Sequence, residues 1–366
     1  MNGEKMGEDP KRRRVLVVAT TKLCVDGLTS VLMEIAGMVS GRCRLDFALA
    51  ESAEQKILAQ LSELGRVYEL PSRRRRLPIY LYRLSQLMKE NRYDIVHIHG
   101  NSATMAFDLA AAWRNRIPKR ITHIHNCAKQ PAWKQKTLGR IVNRWVTDPA
   151  ACSDQSGKML YDQPFTIIPN GIDCEMYHYS ESARIRIRGE FNIPEKALVI
   201  GHIGRFSEQK NQKRLIRIFS ELTQKRQKAF LLLAGTGEMM EECRELVQEA
   251  GLKESVLFAG AVENPQDFYS AMDVLVMPSL FEGLPLVGVE AQASGLPCVF
   301  SDRITRETRI LPHVLFVPLE ADDDAWADAI LSIPKNLDRG RCPDLIRNAG
   351  FSREDVRARV AELYGI

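Results

Sequence analysis

Short apolar segments alternate with amphipathic helical patterns along the first half of the chain, and this alternation restricts the possible folds more than any other feature. Arg14–Ala19, Leu45–Ala50 and Asp94–His99 have the length and composition of buried strands. Between them, Leu28–Met38 and Gln55–Leu64 carry apolar residues at helical spacing. Strands that alternate with helices of this length predict parallel βαβ units in a doubly wound sheet.

The same alternation restarts in the second half of the chain. Pro169–Asp173 is a strong turn signal, and a new strand pattern begins at Leu198–Ile203. A chain of 366 residues is also long enough for two domains. We therefore predict an α/β protein with two Rossmann-like domains, residues 1–173 and 174–350. Residues 351–366 read as a C-terminal helix that is expected to pack back on the N-terminal domain.

A strand, a turn and a helix start surround two glutamates in the second half. The apolar run Val274–Pro278 leads into Glu282, and Glu290 follows eight residues later. Pro285 suits a first helical turn, and Gly295 suits the position after the last one. Backbone N–H groups at such a helix start form an anion site and are a natural seat for phosphate.

Two carboxylates beside a phosphate seat would repel the phosphate unless they bind neutral hydroxyl groups instead. A nucleotide sugar supplies both a diphosphate and such hydroxyls, so this ligand fits Glu282 and Glu290 together. The alternative is an ordinary strand–turn–helix with two solvated glutamates. For this pair of residues taken alone, that alternative is the better interpretation.

The loop after the strand at Ile203 supplies the missing positive charge. Gly204 permits close approach of a ligand to the backbone, and Arg205 and Lys210 place two cations in one loop. An arginine fork and a lysine point charge could clamp a diphosphate, although a basic loop that caps a helix is an equal alternative. A second glycine turn, Gly235–Gly237, is too short for the full dinucleotide fingerprint and is weak evidence for nicotinamide binding.

Four histidines lie at the ends of two predicted strands: His97, His99, His123 and His125. Strand alternation puts each pair on one face, which is compatible with a metal. Because no Asp, Glu or Cys is spaced as a further ligand, we expect a metal-free site. His125 is a site candidate because ligands bind at the carboxyl ends of parallel strands, whereas His97 and His123 are expected to be structural.

The net charge of +5 conceals an asymmetry between the halves. Up to Asp173 there are 27 Lys and Arg against 17 Asp and Glu, whereas the remainder has 24 against 29. The segment Arg73–Leu84 mixes five arginines with aliphatic and aromatic residues, which suits an anionic membrane surface. A solvated helix end is the alternative. Nucleic-acid binding is disfavoured because the second half has no matching basic patch.

Cysteine usage and hydropathy indicate the compartment. The eight cysteines are scattered without a CxxC pair, and no apolar run is long enough to predict a membrane-spanning helix. We therefore expect a cytoplasmic protein, with peripheral attachment to the inner face of the cell membrane.

Taken together, these residues resemble family 4 of the GT-B glycosyltransferases. The resemblance extends over nearly the whole chain and rests on Gly204–Phe206 with Lys210, on Pro169–Asp173, and on Glu282 and Glu290 at their spacing. It implies two Rossmann-like domains that face each other across a cleft. It also implies a nucleotide-sugar donor in the C-terminal half, an acceptor on the N-terminal half, a retaining mechanism, and no cofactor or essential metal.

The resemblance also implies roles for individual residues. Arg205 and Lys210 would bind the donor diphosphate, Glu282 would contact the donor sugar, and Glu290 would hold the ribose hydroxyls. The catalytic residues that it implies are Glu282, Arg205, Lys210 and His125. The donor-binding residues that it implies are Gly27, Gly204, Gly283, Leu284, Pro285, Leu286 and Glu290. Many relatives carry paired glycines in the first loop, whereas Asp26 precedes Gly27 here, and this departure puts the first loop's role in doubt.

The family resemblance predicts a UDP-sugar donor and an acceptor that is a saccharide or a polyprenyl-diphosphate-linked saccharide. The amino-acid sequence from Ser279 to Gly295 is most similar to the corresponding sequence of exopolysaccharide and capsule transferases. Three alternatives remain at this point. They are a sugar-nucleotide epimerase, a phosphorylase on the same scaffold, and a non-catalytic partner subunit at the membrane.

Overall fold

In a computed structural model the chain forms two compact units. The first consists of the residues up to Ile168 together with Arg357–Ile366, and the second is Pro169–Val356. The structure describes residues 12–24, 27–125, 132–226, 228–334, 337–340 and 342–366. Asp26, the departure in the first loop, lies outside the described residues.

The first unit is built on a sheet of seven parallel strands in the order β3-β2-β1-β4-β5-β6-β7. Its strands are β1 (Arg13–Ala19), β2 (Cys43–Leu49), β3 (Gly65–Glu69), β4 (Ile95–Gly100), β5 (Lys119–Ile124), β6 (Asp148–Ala151) and β7 (Thr166–Ile167). Its helices are α1 (Gly27–Val39), α2 (Gln55–Leu64), α3 (Leu77–Asn91), α4 (Ala106–Arg114), α5 (Ala132–Trp145) and α6 (Asp154–Leu160).

The second unit repeats this plan with six parallel strands in the order β10-β9-β8-β11-β12-β13. Its strands are β8 (Leu198–Ile203), β9 (Ala229–Ala234), β10 (Val256–Gly260), β11 (Val274–Met277), β12 (Cys298–Ser301) and β13 (Val314–Val317). Its helices are α7 (Glu181–Glu190), α8 (Gln212–Lys225), α9 (Met240–Glu249), α10 (Pro265–Ala271), α11 (Leu286–Ala293), α12 (Asp323–Leu331) and α13 (Cys342–Asn348). A last helix, α14 (Arg353–Tyr364), begins in the second unit and ends in the first.

The strands are apolar along their whole length because both faces of each sheet are buried. Val15–Ala19 of β1 and Val274–Met277 of β11 are buried throughout, because helices cover a parallel sheet on both sides. In each sheet the order of strands reverses beside the first strand, between β1 and β4 and between β8 and β11. Ligands of open α/β sheets bind outside the carboxyl ends of the strands at such switch points.

Several elements have no counterpart among the strands and helices that the sequence pattern predicts, including β3, β6, β7, β13, α5, α6 and α7, and two of them show why. The pattern predicts a link near residues 174–195, but α7 occupies Glu181–Glu190 within it. Only three residues of α7 are buried, so its apolar stripe is too narrow to stand out in the sequence. The strand β3 has no separate signal either, because its five residues are only partly buried at the edge of the sheet.

Within the described residues, no helix has the length and apolar character needed to cross a bilayer.

Candidate functional site

The candidate residues of the second unit lie at the switch point of its sheet. Arg205 and Lys210 follow β8, and Glu282 follows the neighbouring strand β11. The sheet therefore brings together the cationic loop and the first glutamate, which are far apart in sequence.

The loop after β8 has a buried anchor and an outward-pointing arginine. Phe206 is fully buried, and the amide of Gly204 donates to the Ala234 carbonyl over 2.9 Å. Arg205 is 55% exposed and pairs with the equally exposed Glu238 over 3.0 Å. At this exposure the ion pair is weak, so the arginine can exchange its partner for a stronger anion at little cost.

The second glycine turn supports this loop. Gly235 has a φ of +129°, and a side chain there would overlap the carbonyl of Gly204. The amide of Phe206 also donates to the Thr236 carbonyl over 2.9 Å. The glycines after β9 thus allow one loop to pack directly on the other, which accounts for them without a dinucleotide.

Lys210 and Glu282 form a short ion pair. Lys210 Nζ lies 2.5 Å from Glu282 Oε1, and the two side chains are only 19% and 7% exposed. Gln209 donates to the other oxygen, Glu282 Oε2, over 3.2 Å, and to the Phe281 carbonyl over 3.0 Å. Glu282 is therefore held from two sides rather than solvated. Gln209 is a site residue that sequence reasoning missed, because a glutamine between charged residues carries no motif signal.

The turn before α11 is buried and braced by the chain that opens the second unit. Gly283, Leu284 and Pro285 are buried, and Asn170 Nδ2 donates to the Leu284 carbonyl over 2.9 Å. The helix begins at Leu286 and ends before Gly295, whose φ of +66° is the left-handed conformation that glycine tolerates. The first-turn amides of α11 make this end of the helix electropositive.

Glu290 lies in the second turn of α11 and is engaged by two phenols. Tyr177 donates to its Oε1 over 3.0 Å and Tyr269 to its Oε2 over 2.7 Å. Burial raises the pKa of the Glu290 carboxyl, and the two tyrosine hydroxyls act in the opposite direction. Neither tyrosine is near Glu290 in sequence, so the sequence carried no signal for the pairing.

The four histidines come together on one face of the first sheet. His99 and His123 are paired across β4 and β5, and the ring centroids of His97 and His99 are 4.0 Å apart. Nδ1 of His99 lies 2.9 Å from Nε2 of His125, directly after β5. Burial lowers the pKa of His125 well below its usual value, so this imidazole is neutral at physiological pH. Its Nδ1 has no hydrogen-bond partner in the described part of the chain.

Three of these imidazoles could contribute to a metal centre. His97, His99 and His123 each offer a ring nitrogen, and these nitrogens lie within 4.8 Å of one another. Because a Zn–N bond is about 2.0–2.1 Å, two nitrogens on one zinc ion lie at most about 4.2 Å apart. Any pair of these nitrogens that lies beyond that distance would have to move closer together to share an ion. The expectation of a metal-free site stays a prediction.

Gly27 is the first residue of α1, next to β1. A side chain at this position would meet no described atom within 4 Å. The described residues around it therefore do not themselves require glycine at this position.

Arg73 does not belong to the exposed basic and aromatic surface that the sequence predicts for the first unit. Arg73 is not exposed with its neighbours, because it forms a 3.0 Å ion pair with the fully buried Asp108. Tyr80 donates to the same carboxylate over 2.5 Å. A buried carboxylate requires such partners, and Arg73 supplies them. The exposed arginines of the segment Arg73–Leu84 are Arg74–Arg76 and Arg83.

Large apolar side chains are nevertheless exposed on three neighbouring helices of this unit. Ile79 and Tyr82 on α3 are 50% and 61% exposed, Trp113 on α4 is 50% exposed and Trp133 on α5 is 71% exposed. The helices α3, α4 and α5 pack side by side. These four residues and Arg74–Arg76 are called the α3–α5 surface below.

Comparison with known proteins agrees with this architecture. The family model described as glycosyl transferases group 1 matches residues 183–349, and the model described as glycosyltransferase family 4 matches residues 27–176. EpsF of Bacillus subtilis (strain 168), which is named as a glycosyltransferase, is 34% identical over 285 residues, which cover 74% of each chain.

Two further proteins are similar over much of the chain. The UDP-Gal:alpha-D-GlcNAc-diphosphoundecaprenol alpha-1,3-galactosyltransferase of Escherichia coli is 28% identical over 239 residues, or 61% of each chain. The crystal structure of Anabaena HepE in complex with UDP superimposes with a TM-score of 0.79 at 18% identity, covering 96% of this chain and 99% of that one. The two parallel sheets have the GT-B fold. The chain therefore belongs to the group 1, or family 4, glycosyltransferases.

Proposed function

We propose that this glycosyltransferase moves a sugar, with retention of configuration, from a UDP-sugar to a saccharide or polyprenyl-diphosphate-linked saccharide in cell-surface polysaccharide biosynthesis. One observation carries the proposal: the loop after β8, which holds Arg205 and Lys210, meets the turn before α11 at the switch point of the second sheet, where Lys210 pairs with Glu282. Two similar proteins support the donor and the acceptor. HepE is described in complex with UDP, and the Escherichia coli relative is named for UDP-Gal and a diphosphoundecaprenol acceptor.

In the proposed reaction, the bond between the anomeric carbon and the diphosphate breaks, and its electron pair stays on the phosphate oxygen. Arg205 and Lys210 stabilise the charge that develops there, together with the amides around Gly283–Leu286. The acceptor hydroxyl oxygen forms the new bond to the anomeric carbon and passes its proton to the departing phosphate oxygen, which leaves as part of UDP. Positive groups fixed before the reaction are effective here because they need no reorganisation as the charge appears.

Glu282 and Lys210 act as a unit in this proposal. The carboxylate holds the ammonium group in place over 2.5 Å, while its oxygens remain within reach of hydroxyls of the donor sugar. Gln209 fixes the carboxylate from the other side. In this proposal Glu282 binds hydroxyls of the donor sugar and Glu290 binds those of the ribose. The two glutamates therefore do not act as a paired general acid and general base.

We assign His125, in the first unit, to the donor sugar. Glycine at Gly27 in the first unit and at Gly204 in the second would allow the donor phosphates to approach the backbone closely. A neutral imidazole can donate or accept a hydrogen bond without adding positive charge. That property suits contact with a sugar hydroxyl, and the low pKa of His125 maintains it.

The reaction is tested by following UDP release from UDP-sugars with and without lipid-linked acceptors. Release that depends on the acceptor, with one new glycosidic bond per UDP, is the expected result. Conversion of the donor in the absence of acceptor, without UDP release, would instead indicate epimerisation.

Peripheral membrane attachment is proposed for the α3–α5 surface. Its exposed aromatic and aliphatic side chains can insert at the level of the lipid headgroups while Arg74–Arg76 contact anionic lipid. Binding to phosphatidylglycerol vesicles should fall with rising salt and be weak to phosphatidylcholine vesicles. Tyr82→Ser should weaken it, whereas Ile185→Ser, at a 66% exposed position in the second unit, should not. Equal binding to both kinds of vesicle by all variants would contradict the assignment.

A further inference from the structure

The carboxylate of Glu290 accepts hydrogen bonds from two tyrosines in separate parts of the second unit. Tyr177 lies in the segment before α7, and Tyr269 lies on α10. Each phenol takes a different carboxylate oxygen, at 3.0 and 2.7 Å, and the two rings pack 6.1 Å apart at an angle of 57°. Tyr269 is fully buried, so its hydroxyl is fixed by packing as well as by the hydrogen bond.

This arrangement determines what else the carboxylate can bind. An ionised carboxylate accepts about four hydrogen bonds, roughly two on each oxygen. The tyrosines take one on each oxygen, and therefore leave about one on each oxygen for a ligand. Two acceptors that are held side by side match two hydroxyls on adjacent carbon atoms.

We propose that Tyr177 and Tyr269 are positioning residues that hold Glu290 for the two ribose hydroxyls of the donor and so make the enzyme select ribonucleotides over deoxyribonucleotides. This inference rests on the proposed function, in which Glu290 binds the ribose. The phenols do not touch the nucleotide in this account. They act by fixing the rotation of the carboxylate and by sustaining its charge in a buried position.

Both parts of that role have a physical basis. Burial disfavours the charged form of Glu290, and each tyrosine hydrogen bond favours it. A carboxylate that loses one phenol can turn about its last bond, so its two free acceptors no longer match the ribose hydroxyls. A variant should therefore lose the preference for ribose, rather than only some stability.

The experiment compares the affinity of two nucleotides for Tyr177→Phe, Tyr269→Phe and the wild-type enzyme by titration calorimetry. UDP and 2′-deoxy-UDP are the probes, and GDP with 2′-deoxy-GDP is a second pair in case the base differs. Tyr93→Phe is the matched control, because Tyr93 makes a comparable 2.6 Å bond to a carboxylate, that of Asp46, in the first unit.

Wild-type enzyme and Tyr93→Phe should bind the ribonucleotide about tenfold or more tightly than its deoxy form, since a hydrogen bond to a charged group is lost in the latter. Each of the other two variants should lower this ratio at least about threefold, mainly by weakening binding of the ribonucleotide. Equal weakening of both nucleotides in the tyrosine variants, or no weakening, would overturn the inference. Thermal unfolding verifies that each variant is folded. If Tyr269→Phe does not fold, the ribose preference of Tyr177→Phe alone tests the inference.

A fifth protein, Glu290→Gln, separates this inference from the proposed function. If it loses the ribose preference while the tyrosine variants keep it, Glu290 binds ribose and the positioning role is wrong. If the wild-type enzyme and Glu290→Gln both bind the two nucleotides equally, the ribose contact itself is wrong, and the inference fails with it.

Discussion

Arg205, which binds the donor diphosphate in the proposed function, contributes little to the stability of the fold. Its ion pair with Glu238 joins two side chains that are both more than half exposed, and such pairs are worth about 0–1 kcal/mol. Arg205→Ala should therefore unfold at nearly the wild-type temperature. Its transfer rate should fall about 100-fold or more, because a fixed donor to the developing phosphate charge is lost.

Glu238→Ala is the matched control for Arg205→Ala. It breaks the same ion pair but leaves the guanidinium in place, so it should retain transfer activity. Wild-type activity in Arg205→Ala, measured as acceptor-dependent UDP release, would remove this arginine from the mechanism.

Lys210 and Glu282 belong to the opposite case, a pair that is largely shielded from water. Removing one charge leaves the other uncompensated, so Lys210→Met should lower the free energy of unfolding by about 3 kcal/mol. The double variant Lys210→Met/Glu282→Gln should recover much of that stability and still be inactive. Denaturant unfolding of both single variants and the double variant measures the coupling, and strictly additive losses would contradict it.

At the scale of single residues, the sequence indicated the chemistry but not the pairing. Lys210 and Glu282 stand out as motif residues, yet their contact joins positions 72 residues apart. Tyr177 and Glu290 are separated by 113 residues. Neither contact follows from local pattern, because tertiary packing alone decides which polar groups share a buried site.

At the scale of elements, the paired strands β4 and β5 make the first unit sensitive to acid. His97, His99, His123 and His125 are buried there, and burial lowers the pKa of each of them, that of His123 to about 3. The unfolded chain binds protons on these residues from about pH 6.5 downwards, whereas the folded chain does not. Their contribution to stability is thus present above about pH 6.5 and is lost as the pH falls towards the folded-state values.

The melting temperature should therefore be steady above pH 7 and fall between about pH 6.5 and 4.5. Asp108 and Glu290 oppose this trend, since burial raises their pKa, but they are fewer. His178→Gln, at an exposed position, should leave the pH dependence unchanged. A melting temperature that is constant from pH 7.5 to 4.5 would show that the buried histidines do not control it.

The same histidines allow a test of the metal-free mechanism. Transfer should proceed at an unchanged rate after dialysis against EDTA, because positive side chains and helix amides stabilise the leaving phosphate. The rate of UDP release is measured with and without EDTA, Mg²⁺ and Zn²⁺. Loss of activity in EDTA that Zn²⁺ restores would instead point to a metal held by His97, His99 and His123.

Elements with strong periodicity could be predicted from the sequence, and elements with weak periodicity could not. The bounds of α2 match the predicted helix Gln55–Leu64 residue for residue. By contrast, α7 is rich in arginine and buries few residues, and β3 is a short edge strand. In both cases the buried face is too small to leave a pattern in the sequence.

At the scale of the whole molecule, the same strand order in both sheets accounts for where the site residues lie. In each sheet the strand order reverses beside the first strand. The loops that carry Arg205, Lys210 and Glu282 follow the strands that flank this reversal in the second sheet, whereas His125 follows β5, one strand away from the reversal in the first. The restart of the strand–helix alternation predicted this repetition, because that alternation is a property of the whole sheet. Within the first unit, His97 Nδ1 lies 2.8 Å from the hydroxyl of Tyr364, at the end of α14.

The central claim is that the second unit binds a sugar nucleotide through its diphosphate, and a thermal-shift screen of sugar nucleotides tests it most directly. A ligand at a hundredfold excess over its Kd stabilises the folded protein by about 2.7 kcal/mol, which raises the melting temperature by several degrees. We predict this shift for UDP and at least one UDP-sugar, and a much smaller shift in Arg205→Ala. A wild-type melting temperature that no nucleoside diphosphate or sugar nucleotide of any base changes would contradict the account.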